Sequence, residues 1–168
     1  MMTARARIGV GLVCAVALVA AGCSQQADTG VGTVEAAGIR IPKQILGLAV
    51  QAEDIKKEAV GIKQSYVDAN GMFSMRDDDL LRATLQVSRL SRFARPKSEG
   101  FRRSIAALLG GTTPTQLRVG DTMVNSTAGN KQNIFVWFRG RGMLILSIHQ
   151  DYEFPRTLLR RVVALELQ

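Results

Sequence analysis

Sulfur and imidazole are scarce in this chain: 168 residues hold two cysteines, Cys14 and Cys23, and one histidine, His149. Both cysteines sit near the N-terminus and no CxxC occurs. Zinc takes three or four ligands, and the rest of the chain offers too few of the usual ones, so neither a metal site nor a cofactor is expected. Glycine is plentiful, yet no GxGxxG follows a strand, and Gly110-Gly111 lacks the Lys-Ser/Thr that completes a phosphate loop. Asp77-Asp78-Asp79 lacks the alternating spacing of a calcium loop, which gathers six to eight oxygens, and reads as a solvated turn. Aromatic residues make up only 5% of the chain and do not interleave with the basic ones, which argues against single-stranded nucleic acid as a partner. A membrane-spanning run is also missing. The apolar stretch Ile8–Ala21 has 14 residues, whereas a helix crossing the hydrocarbon core needs roughly 20.

That stretch has a different meaning. Met1–Arg7 is short and basic, with Arg5 and Arg7 and no acid, and small residues close the apolar segment behind it. A basic start, a short apolar middle and small residues before a cut make a secretory signal. Ala20-Ala21-Gly22-Cys23 resembles the lipobox of bacterial lipoproteins, with Ala20 where Leu is commoner and Val19 one place earlier. The resemblance covers residues 1–23. It implies that the Cys23 thiol receives a diacylglyceryl group, that the bond before it is cut, and that a further acyl chain such as palmitate is added at the new amine. Residues 1–22 are then a lipoprotein signal peptide, Cys14 is discarded with it, and Cys23 is the lipidation site. The protein is expected outside the cytoplasm, lipid-anchored to the cell membrane. In a Gram-negative cell, Ser24 rather than Asp after the cysteine implies the outer membrane. In a Gram-positive cell, the outer face of the plasma membrane is the only option. An ordinary signal cut nearby, leaving Cys23 free, is the alternative.

Residues 23–38 follow as lipidated cysteine and flexible tether, since SQQADTGVGTVEAAG has no aromatic residue and little hydrophobicity. Residues 39–168 read as a single globular domain of ordinary length. Pro42–Val50 is either a short helix or an entering strand, and Glu53–Gln64 has the pattern of a short helix. Tyr66–Met75 carries Asn70-Gly71 and aromatics, and a hairpin through the Asp run leads into Leu80–Leu90. There Leu81, Ala83, Leu85 and Val87 face one way and Arg82, Thr84, Gln86 and Ser88 the other, the period of a half-buried strand. Phe101–Leu109 reads as a helix stopped by Gly110-Gly111. Three strands, about 117–127, 133–139 and 142–150, form a meander, and Pro155 opens a closing helix with Leu158, Leu159, Val162, Val163 and Leu165 as its buried stripe. The fold class is α+β, a mostly antiparallel sheet packed by helices.

This order, with Phe101-Arg102-Arg103 in the middle helix and Trp137-Phe138 in a meander strand, resembles small Mog1/PsbP-like domains, which some envelope lipoproteins carry. The stretches LLRATLQVSRL (80–90) and FPRTLLRRV (154–162) resemble uncharacterised envelope lipoproteins of high-GC Gram-positive bacteria. Such a fold is a scaffold and fixes no function by itself.

Catalytic residues are not identified. Ser147, His149 and Asp151 alternate along one strand, where same-face side chains run parallel, whereas a triad needs them to converge. The informative remainder is basic, part of a formal charge of +8. Arg89, Arg92, Arg95, Lys97, Arg102 and Arg103 lie close together in sequence with Glu99 the only acid among them, and Arg139 and Arg141 flank a turn. Arg156, Arg160 and Arg161 are placed in the first turns of the last helix, where the macrodipole disfavours cations. These arginines read either as a solvated face with local ion pairs or as an electropositive surface for polyanions. The expected partners are the membrane through the lipid anchor and an anionic envelope polymer, lipid head groups or an acidic protein, with no nucleic acid. The function read from this is a membrane-tethered, non-catalytic binding or accessory module. An envelope hydrolase or transferase is one alternative, and a lipid-binding protein with an apolar pocket near Trp137 and Phe138 another. On alternate faces of one strand, those two rings are not expected to share a cavity.

Overall fold

The computed structural model describes residues 32–53, 64–94, 99–111, 114–129 and 131–166. Among them lie β1 (Thr33–Ala36), β2 (Ile39–Pro42), β3 (Gln44–Ile45), β4 (Leu48–Glu53), β5 (Val67–Asp77), β6 (Leu80–Leu90), α1 (Glu99–Leu108), β7 (Thr115–Val119), β8 (Thr122–Gly129), β9 (Gln132–Arg139), β10 (Gly142–His149) and α2 (Pro155–Val163). Strands β1 and β2 form their own hairpin, and the other eight make one sheet in the order β3-β4-β5-β6-β10-β9-β8-β7. Every neighbouring pair is antiparallel. Seven residue pairs, from Ala83↔Ile148 to Arg89↔Gly142, join β6 to β10 and fuse the N- and C-terminal halves. The chain is therefore an α+β fold built on a mostly antiparallel sheet.

Alternation along β6 and β10 makes both faces of this sheet apolar. Ala83, Leu85, Val87, Leu144, Leu146 and Ile148 point to one side, while Leu90, Met143 and Ile145 point to the other. Each face needs a cover. Helix α2 buries Leu158, Leu159, Val162 and Val163 on the first, each side chain contributing about 1.5–3 kcal/mol on removal from water. It meets β3 at one end of the sheet and lies beside the β7–β8 turn at the other, so the strands curl around it. Helix α1 covers the second face with Phe101, whose ring lies 5.8 Å from Tyr66 and 6.0 Å from Phe138. Trp137 packs on the α2 side and Phe138 on the α1 side, on opposite faces as expected from alternation.

The ends of the helices follow from their sequences. Gly110 and Gly111 take φ of +75° and +72°, and their N–H groups close onto Ala107 O at 3.0 Å and Ala106 O at 2.8 Å. This paired closure satisfies the last carbonyls of α1, and glycine adopts it without strain. Pro155 begins α2, where its missing N–H costs nothing.

Several boundaries differ from the sequence expectation. Within the segment 23–38 expected as a tether, Thr33–Ala36 pairs with Ile39–Pro42, and Val34 and Ala36 pack on the core. A four-residue strand carries too little alternation to be legible alone. Pro42–Val50 resolves into strands, and Glu53 ends β4 rather than opening a helix; residues 54–63 of that expected helix lie outside the described residues. The expected strand at 117–127 is a hairpin, β7–β8, turning at Gly120-Asp121, which makes the meander four-stranded. Helix α2 has only nine residues, so Arg160 and Arg161 stand in its last turn, where the macrodipole favours cations.

Asn70-Gly71 lies inside β5. A Cβ at Gly71 would stand 2.7 Å from the Ala36 Cβ and 2.9 Å from its carbonyl carbon. The β1–β2 hairpin thus sits on the sheet only because residue 71 has no side chain. Gly71→Ala is expected to destabilise the protein by about 1–3 kcal/mol through overpacking, read as a lower urea midpoint. An unchanged midpoint would show that the hairpin is not seated there.

Candidate functional site

The arginines singled out from sequence do not form one patch. Arg102 and Arg103 ride on α1, on one side of the sheet, whereas Arg156, Arg160 and Arg161 ride on α2, on the other. Arg95, Lys97 and Cys23 lie outside the described residues. Arg103 is paired with Glu99 one turn earlier, and the Arg92 guanidinium lies 5.0 Å from the Phe93 ring centre. Arg160 borders a groove of about 520 Å³ shared with Arg118.

Arg89 belongs to a different grouping. Register places it opposite Gly142, and Gly142 opposite Arg139. Two arginines thus flank a residue without a side chain at one end of the α2-facing surface, with Arg141 in the adjoining turn. The three line a groove of about 300 Å³ with Gly38 and Ile39 of the β1–β2 hairpin. Two of these guanidinium groups are fixed by main-chain carbonyls. Arg139 Nη2 donates to Val163 O at 2.6 Å, and its Nη1 donates to Leu165 O, which ties down the C-terminal end of α2. Arg141 donates from Nε and Nη2 to Leu90 O at 3.0 and 2.6 Å, and from Nη2 to Asp68 at 2.9 Å. Carbonyl acceptors orient an arginine without cancelling its charge. Sequence reading named Arg89 as a candidate but had Arg139 and Arg141 only as residues flanking a turn. The Arg139-Gly140-Arg141-Gly142 run was the signal available.

A second concavity, of about 450 Å³, has Arg82 beside Leu46, Asp77, Asp151, Tyr152 and Phe154. The β5–β6 register slips between Met75↔Ala83 and Arg76↔Leu81, leaving Arg82 as the extra residue of a bulge, a feature that re-aims a side chain. Its side chain is 20% exposed and lies 3.4 Å from Asp77 and 3.5 Å from Asp151. Those contacts are longer than the usual charge-assisted bond of about 2.7–2.9 Å. Burial pushes the Tyr152 phenol above its ordinary range, the Asp77 carboxylate adds to that, and Arg82 opposes it.

Asp151 therefore pairs with Arg82, away from a triad with Ser147 and His149. Strand β10 is interior to the sheet, and His149 ends it opposite Gln132 of β9. Among the described residues, no group of three or more His, Cys, Asp or Glu is placed to hold a metal ion. A third groove, of about 290 Å³, runs beneath α1 and is mainly apolar, with Phe101, Ile105, Leu109, Pro114 and Phe138 in its walls.

The Tyr152 environment gives a titration test. In a Tyr66→Phe protein, Tyr152 is the only tyrosine left, and its phenolate absorbance is expected to rise above pH ~10, the ordinary midpoint. Asp77→Asn moves that midpoint back down, and Arg82→Gln moves it further up. Because the folded-state pKa is raised, the stability it contributes is complete below pH ~10 and is lost as pH climbs through the folded value. A midpoint indifferent to Asp77→Asn would rule out the carboxylate as a cause. Comparison with protein families, with curated proteins and with solved structures finds no match to this chain.

Proposed function

We propose that this protein is an extracytoplasmic lipoprotein, anchored through Cys23, that serves as a binding or accessory module for anionic envelope components or acidic proteins. One observation carries the binding half of this reading. Arg89, Arg92, Arg156 and Arg160 are exposed and have no carboxylate partner among the described residues. Exposed cations without counter-charges create a positive potential that attracts polyanions. The anchoring half is supported by the Ala20-Ala21-Gly22-Cys23 sequence. It is consistent with a fold in which, among the described residues, no helix is long and apolar enough to cross a membrane. The Mog1/PsbP-like resemblance belongs to the same reading and is supported by an antiparallel sheet with one helix on each face.

Labelled palmitate fed to expressing cells should enter the protein and be absent from Cys23→Ala. The detergent-solubilised protein should bind an immobilised polyphosphate at low salt. It should elute as the Debye length falls toward about 3 Å near 1 M salt, and Arg156→Glu with Arg160→Glu should elute earlier. Palmitate incorporation independent of Cys23 would end the anchoring half, and failure to bind at low salt would end the other.

A second reading is an apolar ligand site, favoured by the groove beneath α1 and its two aromatic walls. Displacement of a fluorescent fatty acid that is abolished by Ile105→Trp, which fills the groove, would favour it over the first.

A further inference from the structure

We infer that the groove of Arg89, Arg139 and Arg141 is a docking site for net-anionic phosphodiester head groups, of the phosphatidylglycerol type, in the membrane that holds the anchor. This rests on the lipoprotein reading above and narrows its ligand to one chemistry and one place. The geometry comes from the sheet. Arg89 and Arg139 stand two strands apart in one row, about 10 Å between Cα atoms at the usual strand spacing, with Gly142 between them. A phosphate between them accepts from the fork of Arg89, while Arg139, whose Nη1 and Nη2 already donate to the carbonyls at the end of α2, supplies a fixed positive charge and its remaining N–H groups. Gly142 is what leaves the row open: a Cβ there would already lie 3.1 Å from Arg139 O and 3.8 Å from the Leu144 side chain.

The site is also prepared electrostatically. Arg139 is held by two carbonyls and Arg141 by one carbonyl and Asp68, so three positive charges meet one carboxylate. Arg141 donates only from Nε and Nη2, and the exposed Arg89 side chain has no ion-pair partner among the described residues. The floor, Val87 and Leu144, is apolar and almost fully buried. Holding two cations in place before a ligand arrives lowers the ordering cost of binding. The groove has a volume of about 300 Å³, room for a phosphate with its glycerol.

Placement selects the lipid over a free phosphate. The hairpin turn Ala37-Gly38 forms one rim of the groove. Strand β1 separates that rim from Gly32 by four residues, about 13 Å of chain. Nine further residues lead back from Gly32 to Cys23, a contour of at most about 32 Å. An acylated Cys23 thus keeps the groove within about 45 Å of the bilayer surface and raises the effective concentration of head groups around it.

The acylated full-length chain in nanodiscs tests this, with phenylglyoxal modification of each arginine read by mass spectrometry. Discs of pure phosphatidylcholine are compared with discs containing phosphatidylglycerol. Arg89 is expected to react about fivefold more slowly in the anionic discs, the protection given by a site about four-fifths occupied, while Arg156 and Arg160 change little. Protection of Arg156 and Arg160 with Arg89 unchanged would overturn the groove but leave the basic-surface reading standing. Protection of none of them would overturn the groove as a lipid site and leave the basic-surface reading to polyphosphate binding at low salt. Glycerophosphoglycerol, the soluble diester, added to phosphatidylcholine discs should leave Arg89 reactive. If it protects Arg89 as well as the anionic lipid does, the membrane is not the source.

Discussion

The pairing of β6 with β10 governs the rest of the molecule, because it turns two antiparallel units into one sheet whose central strands are apolar on both sides. Leu144 and Leu146 demand cover on one face, Met143 and Ile145 on the other. An eight-stranded twisted sheet closes part of that surface by curling. Around α2 the curl brings both sheet ends to the helix. The remaining area is sealed by the β1–β2 hairpin, whose approach depends on the missing side chain of Gly71, and by α1 on the opposite face.

The same pairing builds the basic groove. Rows of opposed residues run across β6, β10 and β9: Val87, Leu144 and Trp137 form the last apolar row, and Arg89, Gly142 and Arg139 form the next. The core therefore gives way to charge within two residues along each strand. Arg139 also closes the carbonyl end of α2, so the helix that seals the core fixes one wall of the groove. Bonds from a charged donor to carbonyls of this kind are worth about 1.5–3 kcal/mol each. Ligand geometry and core stability are coupled through one side chain.

Legibility followed the strength of local patterns. Leu80–Leu90, Phe101–Leu109 with its paired glycines, and the helix after Pro155 were readable because their periodicity runs over many residues or ends in an unambiguous signal. The β1–β2 hairpin is not, since four-residue strands carry almost no pattern and this one is held by packing on β4 and β5. The β7–β8 turn at Gly120-Asp121 lies within a stretch whose local pattern is that of one strand. Arg82 was assigned to a polar face by simple alternation, and a bulge between Arg76↔Leu81 and Met75↔Ala83 moved it beside Asp77 and Asp151.

The sequence by itself determined the α+β class, the alternation that puts Trp137 and Phe138 on opposite faces, and the helix stops, because each depends on neighbours a few positions away. Which arginines meet was decided only in three dimensions. Arg89 and Arg139 are 50 positions apart and became neighbours through strand register, whereas Arg102 and Arg156, equally prominent in the sequence, were carried to opposite sides by their helices. Register is set by the whole buried face acting together, and no local stretch contains it.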